Sequence, residues 1–396
     1  MSDEKLPVGA YVEARATELA SLAAELAALD PALRARLAAS AFDPAWLVAR
    51  ARALHDGSKD ESSNRIQGSC KPPEPDQLAP LPKGAALDEL RKAGEHALAR
   101  GELALCVLAG GMATRMGGVV KALIEIAPGV TFLDARLAEQ AHISKDSGHP
   151  LPLWLMTSES TDGPIRKALA SAGAPAEVAT FRQGAALRLD DAGHLFRDAH
   201  GVPSPYATGH GDLVDALRTS GLLDAFLEKG GRWLLVANLD NLGAAVDPAY
   251  LGACIASGAQ LLVEVCPKED GDHGGIPVEV DGKVQVLEEF RLPEAFAPDS
   301  VRVFNTNTMW IRADVLAEVV VPWQWFLVKK KVDGKTAIQF ERLLQELTGV
   351  LDTRYVEVPR HDRDARFLPV KDMAELERRR PELEAIARAH GLHEGA

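Results

Sequence analysis

Four apolar runs divide the middle of the chain: Leu103 to Ala109 (LALCVLA), Leu151 to Met156 (LPLWLM), Trp233 to Ala237 (WLLVA) and Gln260 to Val265 (QLLVEV). Each is continuous rather than alternating, which is the pattern of a strand covered on both faces. Segments with helical spacing, such as Asp212 to Lys229, lie between them. Apolar strands alternating with helices predict a mostly parallel sheet sandwiched by helices. Pro277 to Phe290 reads differently: VEV, then Asp281-Gly282, then VQVLEEF. Two short strands around an Asp-Gly turn predict a hairpin.

Leu19, Leu22, Leu26 and Leu29 recur at helical spacing near the start, and Asp30-Pro31 and Asp43-Pro44 each read as an N-cap followed by proline at the first helical position. Gly57 to Gly84 is polar and proline-rich, so it reads as a linker or loop without regular structure. A helix is expected from about Leu87 to Arg100 and a charged one after Asp372. The linear division expected is a helical segment over 1–56, a proline-rich linker over 57–86, a catalytic domain over 87–371 and a C-terminal helix over 372–396. No internal repeats are visible.

The 396 residues are 46% hydrophobic and 26% charged, which fits a soluble globular chain with a sizeable core. A net charge of -13 argues against a protein that coats nucleic acid. No stretch reaches the length of a membrane span, and the first residues lack the apolar core of a signal peptide. Cys70, Cys106, Cys254 and Cys266 form no CxxC pair, so neither a disulfide framework nor a zinc site is expected. The expected compartment is the cytoplasm. Oligomeric state is not legible.

The first chemical signal follows the first apolar run, in LALCVLAGGMATRMGGVVK. Gly110 and Gly111 allow close backbone approach, and Arg115 and Lys121 supply two cations. Backbone N–H groups and cations at the end of a parallel strand suit a polyphosphate. GxxxxGK[ST] and GxGxxG are both absent, so this is neither a P-loop nor a dinucleotide fingerprint.

This loop resembles the LxGGxGTxMGxxxPK signature of the UTP–glucose-1-phosphate uridylyltransferase (UDP-glucose pyrophosphorylase) family, which includes UDP-N-acetylhexosamine pyrophosphorylase relatives. Ala113 stands where the family has glycine, and Val120 where it usually has proline. Six further segments match in the same order. FRQ at Phe181 to Gln183 is similar to the segment whose glutamine reads the uracil edge. ATGHGDLVDALRTSGLLD is similar to PPGHGDxYxALxxSGLLD, with Gly209 giving the base close approach and His210 reaching a phosphate; Ala207-Thr208 replaces the paired prolines. LLVANLDNLGAAVDP is similar to FVxNxDNLGAxxDP and supplies Asn238 and the metal ligand Asp240. HGGIPVEVDGKVQVLEEF resembles the Gly-Gly segment followed by a glutamate near the sugar, which maps to Gly275 and Glu288. RVFNTNTMWI is similar to KxFNTNNxW; Asn305 and Asn307, two apart on a strand, would face one side. KKKVDGKTAIQFE places Lys330 at a family lysine, and VPRHDRDARFLPVKD places Lys371 at the phosphates. Arg360, Arg363 and Arg366 are not assigned individually.

The resemblance runs from about Leu103 to Lys371. It implies an α/β fold: a Rossmann-like nucleotidyltransferase core with a mixed, mostly parallel sheet and an N-terminal helical extension. The C-terminal β-helix of eukaryotic members is expected to be absent. It also implies formation of a UDP-sugar and pyrophosphate from UTP and a sugar 1-phosphate, with Mg²⁺ as cofactor. Arg115, Lys121 and Lys371 would neutralise the phosphates. Glucose 1-phosphate is the expected sugar substrate, N-acetylglucosamine 1-phosphate its rival. A glycosyltransferase on a similar fold and a non-catalytic nucleotide-sugar sensor are the competing readings.

Overall fold

The computed structural model describes residues 20–58, 60–113, 116–362 and 364–392. The chain divides into two compact units. One comprises Met1–Ile66, Gln183–Asp212 and Trp323–Leu343; the other Gln67–Arg182, Leu213–Pro322 and Leu344–Ala396. These units cut across the linear segments expected from the sequence, because each is assembled from three separate stretches of chain.

The larger unit is built on a seven-stranded sheet. Its strands in chain order are β1 (Leu103–Leu108), β2 (Leu153–Thr157), β3 (Val178–Arg182), β4 (Trp233–Asn238), β5 (Leu261–Pro267), β6 (Val303–Arg312) and β7 (Thr353–Glu357). The spatial order is β7-β5-β6-β4-β1-β2-β3. Neighbours are parallel except at β6, which runs antiparallel to both β4 and β5. The apolar runs are these strands, and β1, β2, β4 and β5 are buried almost throughout. The sheet is therefore mixed and mostly parallel, as expected.

From β1 the chain moves out to β2 and β3, then returns to β4 on the other side of β1. That reversal creates a switch point beside the carboxyl ends of β1 and β4, the usual ligand crevice of an open α/β sheet. The helices Ala85–Ala99 and Pro248–Ser257 pack against each other at two glycines: a Cβ at Gly94 would collide with the Pro248 carbonyl, and one at Gly252 with that of Leu90. The expected hairpin is present as Gly275–Val280 paired with Lys283–Glu288.

The smaller unit has its own core. Leu22, Leu26, Leu29, Leu33, Leu37 and Leu47 pack with Leu187, Leu189, Leu195, Ile338 and Phe340. Asp30 Oδ1 accepts from the Ala32 and Leu33 N–H groups at 2.9 and 3.1 Å, and Asp43 Oδ1 from Ala45 at 2.9 Å, so both Asp-Pro pairs cap helices. Two antiparallel pairs complete the unit: Ala185–Leu187 with Pro205–Ala207, and Phe326–Val332 with Lys335–Glu341.

Three local expectations are corrected. The segment Gly57 to Gly84 holds 3-10 turns at Ser62–Asn64 and Pro75–Leu78 and a strand, Cys70–Lys71, paired with the hairpin. Buried Asn64 orders part of it by bonding both the carbonyl and the N–H of Leu327, at 2.9 and 3.1 Å. The helix over Asp212 to Lys229 is two helices, Leu213–Ser220 and Leu222–Glu228, because Gly221 between them is left-handed at φ 75°. The alternation expected to put Asn305 and Asn307 on one face is interrupted: the β5–β6 register shifts there, and Asn307 has φ 57°.

Candidate functional site

Gly110 and Gly111 follow β1 at the switch point. A Cβ on Gly111 would meet nothing within 4 Å, so the backbone here borders open space. Met112–Ala113 then pairs with Val119–Val120. Among the described residues of this loop, the positive φ values fall on Gly117 and Gly118, at 85° and 74°. Ala113 is buried in the small ladder without a positive φ, which explains how alanine is accommodated there. Val120 has φ −65°, the value proline would impose, so its departure also leaves the path unchanged. Thr114 and Arg115 lie outside the described residues. The Lys121 N–H donates to the Gly111 carbonyl at 3.3 Å and folds the loop back on itself.

The Lys121 ammonium reaches Asp240, two residues beyond the end of β4. Asp240 Oδ2 accepts from Lys121 Nζ at 2.7 Å and from the Val370 N–H at 3.1 Å. One carboxylate thus joins the glycine-rich loop, the β4 end and the segment that carries the exposed Lys371. Among the described residues there is no group of three or more His, Cys, Asp or Glu side chains suited to a metal. A single carboxylate nonetheless fits Mg²⁺ when phosphate oxygens complete its shell.

Side chains not assigned an individual role from the sequence hold this arrangement. Asn241, fully buried, donates to the Arg366 carbonyl at 3.0 Å and accepts from the Leu368 N–H at 2.7 Å. Arg136, also fully buried, donates to the carbonyls of Asn238 and Asn241 at 3.0 and 2.7 Å and to Glu139 at 2.7 Å. Arg136 and Glu139 stand three apart in the helix Phe132–Ser147, a spacing that puts them on one face. Arg366 forms a bidentate pair with Glu264, 2.8 and 2.7 Å, and Trp310 Nε1 donates to the same carboxylate at 2.9 Å. Burial alone would lower the Arg366 pKa, but the charge and hydrogen bonds of Glu264 raise it above the ordinary arginine value. Arg360 is paired with Asp272 and the Pro267 carbonyl. Arg360 and Arg366 are therefore structural, and Arg363 lies outside the described residues.

A second cluster of the same unit forms at the hairpin. Gly275 pairs with Glu288 across the ladder. A Cβ on Gly275 would stand 3.2 Å from Glu288 Oε1 and 3.3 Å from Asn305 Nδ2, so only glycine leaves these polar groups clear. Glu289, by contrast, pairs with exposed His273 at 3.1 Å. Glu288, and not Glu289, thus stands beside Gly275 and Asn305. Asn307 Nδ2 donates to Asn238 Oδ1 at 2.9 Å, while Asn307 Oδ1 is buried with no hydrogen-bond partner among the described residues.

The smaller unit holds Gln183, Gly209, His210 and Lys330. Asp212 organises their turn. Its Oδ2 accepts from the Gly184 N–H at 2.9 Å and from the Thr208 hydroxyl, and its Oδ1 from Arg342 Nε at 2.8 Å. Gly209 has φ 100°, and the place of its missing Cβ is taken by the Arg342 carbonyl. Close approach at Gly209 is thus used by the protein's own backbone. The His210 ring is enclosed enough that burial lowers its pKa to about 4, so it is neutral at pH 7. Gln183 is buried at 6% exposure. Lys330 is exposed on its strand, between Lys329, paired with Glu61 at 3.2 Å, and Lys331, bonded to Thr336 at 2.8 Å.

A family model described as UTP–glucose-1-phosphate uridylyltransferase matches residues 51–382. The chain is 34% identical over 296 residues to the UTP–glucose-1-phosphate uridylyltransferase of Musa acuminata, covering 69% of this chain and 62% of that protein. It is 33% identical over 322 residues to the enzyme of the same name from Solanum tuberosum, covering 76% and 64%. Among solved structures, a UDP-N-acetylglucosamine pyrophosphorylase from Trypanosoma brucei matches with a TM-score of 0.70 at 19% identity, covering 88% of this chain and 79% of that one. A UDP-glucose pyrophosphorylase from Leishmania major matches with a TM-score of 0.65 at 25% identity, covering 83% and 73%. The chain spans somewhat under two thirds of the length of these curated relatives.

Proposed function

Because the chain belongs to the UTP–glucose-1-phosphate uridylyltransferase family, we propose that it forms UDP-glucose and pyrophosphate from UTP and glucose 1-phosphate. The observation that carries this reading is the Asp240 junction, which gathers Lys121, the glycine-rich loop and the Lys371 segment at the β1–β4 switch point. A triphosphate needs cations at more than one point along its length; Lys121 stands at this junction, and Lys371 follows Val370 directly in the chain.

In this reading a sugar 1-phosphate oxygen attacks the α-phosphorus of UTP in line. A new P–O bond forms, the α–β bridging P–O bond breaks, and pyrophosphate leaves with the electron pair. The attacking oxygen is already an anion, so no protein nucleophile or strong base is required. Lys121 and Lys371 offset phosphate charge, and the Gly110–Gly111 backbone accommodates the phosphate chain. Glu288 and Asn305 accept and donate hydrogen bonds to sugar hydroxyls. Gln183 reads the uracil edge, and His210, neutral at pH 7, offers a phosphate a hydrogen bond rather than a charge. Asp240 would hold Mg²⁺, which when bound supplies further charge neutralisation to the phosphates. The four cysteines are all free, which supports a reducing compartment such as the cytoplasm.

The test is pyrophosphate release with UTP, Mg²⁺ and glucose 1-phosphate, N-acetylglucosamine 1-phosphate or galactose 1-phosphate, with ATP, GTP, CTP and dTTP as controls. Release with UTP and glucose 1-phosphate is the expected result. Release only with N-acetylglucosamine 1-phosphate would reassign the sugar. A folded sample that binds UDP-glucose yet releases nothing would replace the enzyme reading with a sensor.

A further inference from the structure

Glu288 is held by a neighbour that no sequence motif marked. Gln345, in the 3-10 turn Leu344–Glu346, is 2% exposed and donates from Nε2 to Glu288 Oε1 at 2.5 Å. The turn is itself pinned to the strand that carries Glu288. Thr348 Oγ1 donates to the Gln345 carbonyl at 2.6 Å and accepts from the Val286 N–H at 2.9 Å. The amide has one tolerable orientation, because a flipped amide would set oxygen against carboxylate oxygen. That orientation leaves Gln345 Oε1 buried with no hydrogen-bond partner among the described residues, a cost accepted to keep the donor on Glu288. Arg291, 5% exposed, senses the charges of both Glu288 and Glu346. Gln345 thus gives the half-buried Glu288 carboxylate a fixed donor, and the charge of Arg291 acts on the same carboxylate.

We propose that Gln345 is a positioning residue for selection of the sugar 1-phosphate: it fixes the Glu288 carboxylate beside Gly275 and Asn305 so that a hexose hydroxyl meets it in one orientation. This rests on the uridylyltransferase reading above. Gln345 acts through Glu288 and is not assigned a contact with substrate.

The experiment measures KM for glucose 1-phosphate and for UTP separately. Gln345→Met keeps the size of the side chain and removes its donor. The sugar 1-phosphate KM is expected to rise about tenfold or more, the effect of losing one hydrogen bond to a charged group, with UTP KM changing by less than about twofold. Gln345→Glu sets a second carboxyl against Glu288, so the pair shares a proton and one group titrates above the ordinary carboxylate range. At low pH the introduced group is a donor and sugar KM approaches that of the wild type. As pH rises the donor is lost and sugar KM climbs, a trend absent from the wild type. An unchanged sugar KM, an equal rise in both KM values, or a pH-independent Gln345→Glu variant overturns the proposal. If Gln345→Met does not fold, the pH profile of Gln345→Glu decides alone. A wild type that turns over no sugar 1-phosphate overturns the uridylyltransferase reading, and this assignment with it.

Discussion

The ammonium of Lys121 lies 2.7 Å from the carboxylate of Asp240, although 119 residues separate them in the chain. The pair is partly buried, with side-chain exposures of 21% and 13%. It joins the glycine-rich loop to the end of β4 and sets a cation beside the β1–β4 crevice.

The two lysines should therefore be needed for turnover rather than for folding. Lys121→Ala and Lys371→Ala are each expected to lower kcat/KM by about 100- to 1000-fold, the usual effect of removing one electrostatic donor from a transition state. Steady-state kinetics with a thermal-melt control checks this. Near-native turnover in both variants would remove the phosphate role from these side chains.

Gly111 and Gly209 should respond differently to alanine. At Gly209 the φ of 100° and the Arg342 carbonyl both oppose a Cβ. Gly209→Ala is expected to destabilise by roughly 1–3 kcal/mol or more, from backbone strain alone, seen as a lower urea midpoint. At Gly111 the space is open, so Gly111→Ala should leave the midpoint unchanged and weaken UTP binding measured by calorimetry. A stable Gly209→Ala protein would contradict the packing described.

His210 imposes a pH dependence on stability. Burial holds its folded pKa at about 4, against 6.5 for an unperturbed ring. Between these values the unfolded chain binds the proton and the folded protein does not. The contribution is full above about pH 6.5 and is lost as pH falls toward 4, with a slope of at most about 1.4 kcal/mol per pH unit. Urea melts from pH 7 to 4 on wild type and His210→Gln should differ in this slope. Identical slopes would place the ring in water.

Arg366 and Glu264 form a buried pair, 5% and 0% exposed. Arg366→Met leaves Glu264 without its cation and is expected to cost about 3–5 kcal/mol. The double variant with Glu264→Leu should recover part of that loss, though the Trp310 N–H then lacks its acceptor. Melting temperatures of the single and double variants test the coupling. A single variant as stable as wild type would show that the pair is not structural.

Much of the fold was legible because its cause is local. LALCVLA and WLLVA are too apolar and too short to be anything but strands covered on both faces, and Asp30-Pro31 and Asp43-Pro44 carry their own capping chemistry. The glycine-rich loop, Asp240 and Lys371 were identifiable from ordered motifs. Motif order, however, says nothing of which side chain meets which.

Those meetings were decided by tertiary structure. Arg342 anchors the Gly209 turn from 130 residues away, and Gln345 reaches Glu288 across 57. Neither partner carries a periodic or motif signal, because the contact exists only once the strands are registered. The tandem of Asn305 and Asn307 shows the same limit: strict alternation predicts one face, but a register shift and a positive φ at Asn307 redirect the second amide to Asn238. The sequence by itself set the strands, the caps and the identities of the chemical groups, since these depend on neighbours along the chain. Which carboxylate receives which cation, and which glycine serves packing rather than ligand approach, depends on distances that only the folded chain defines.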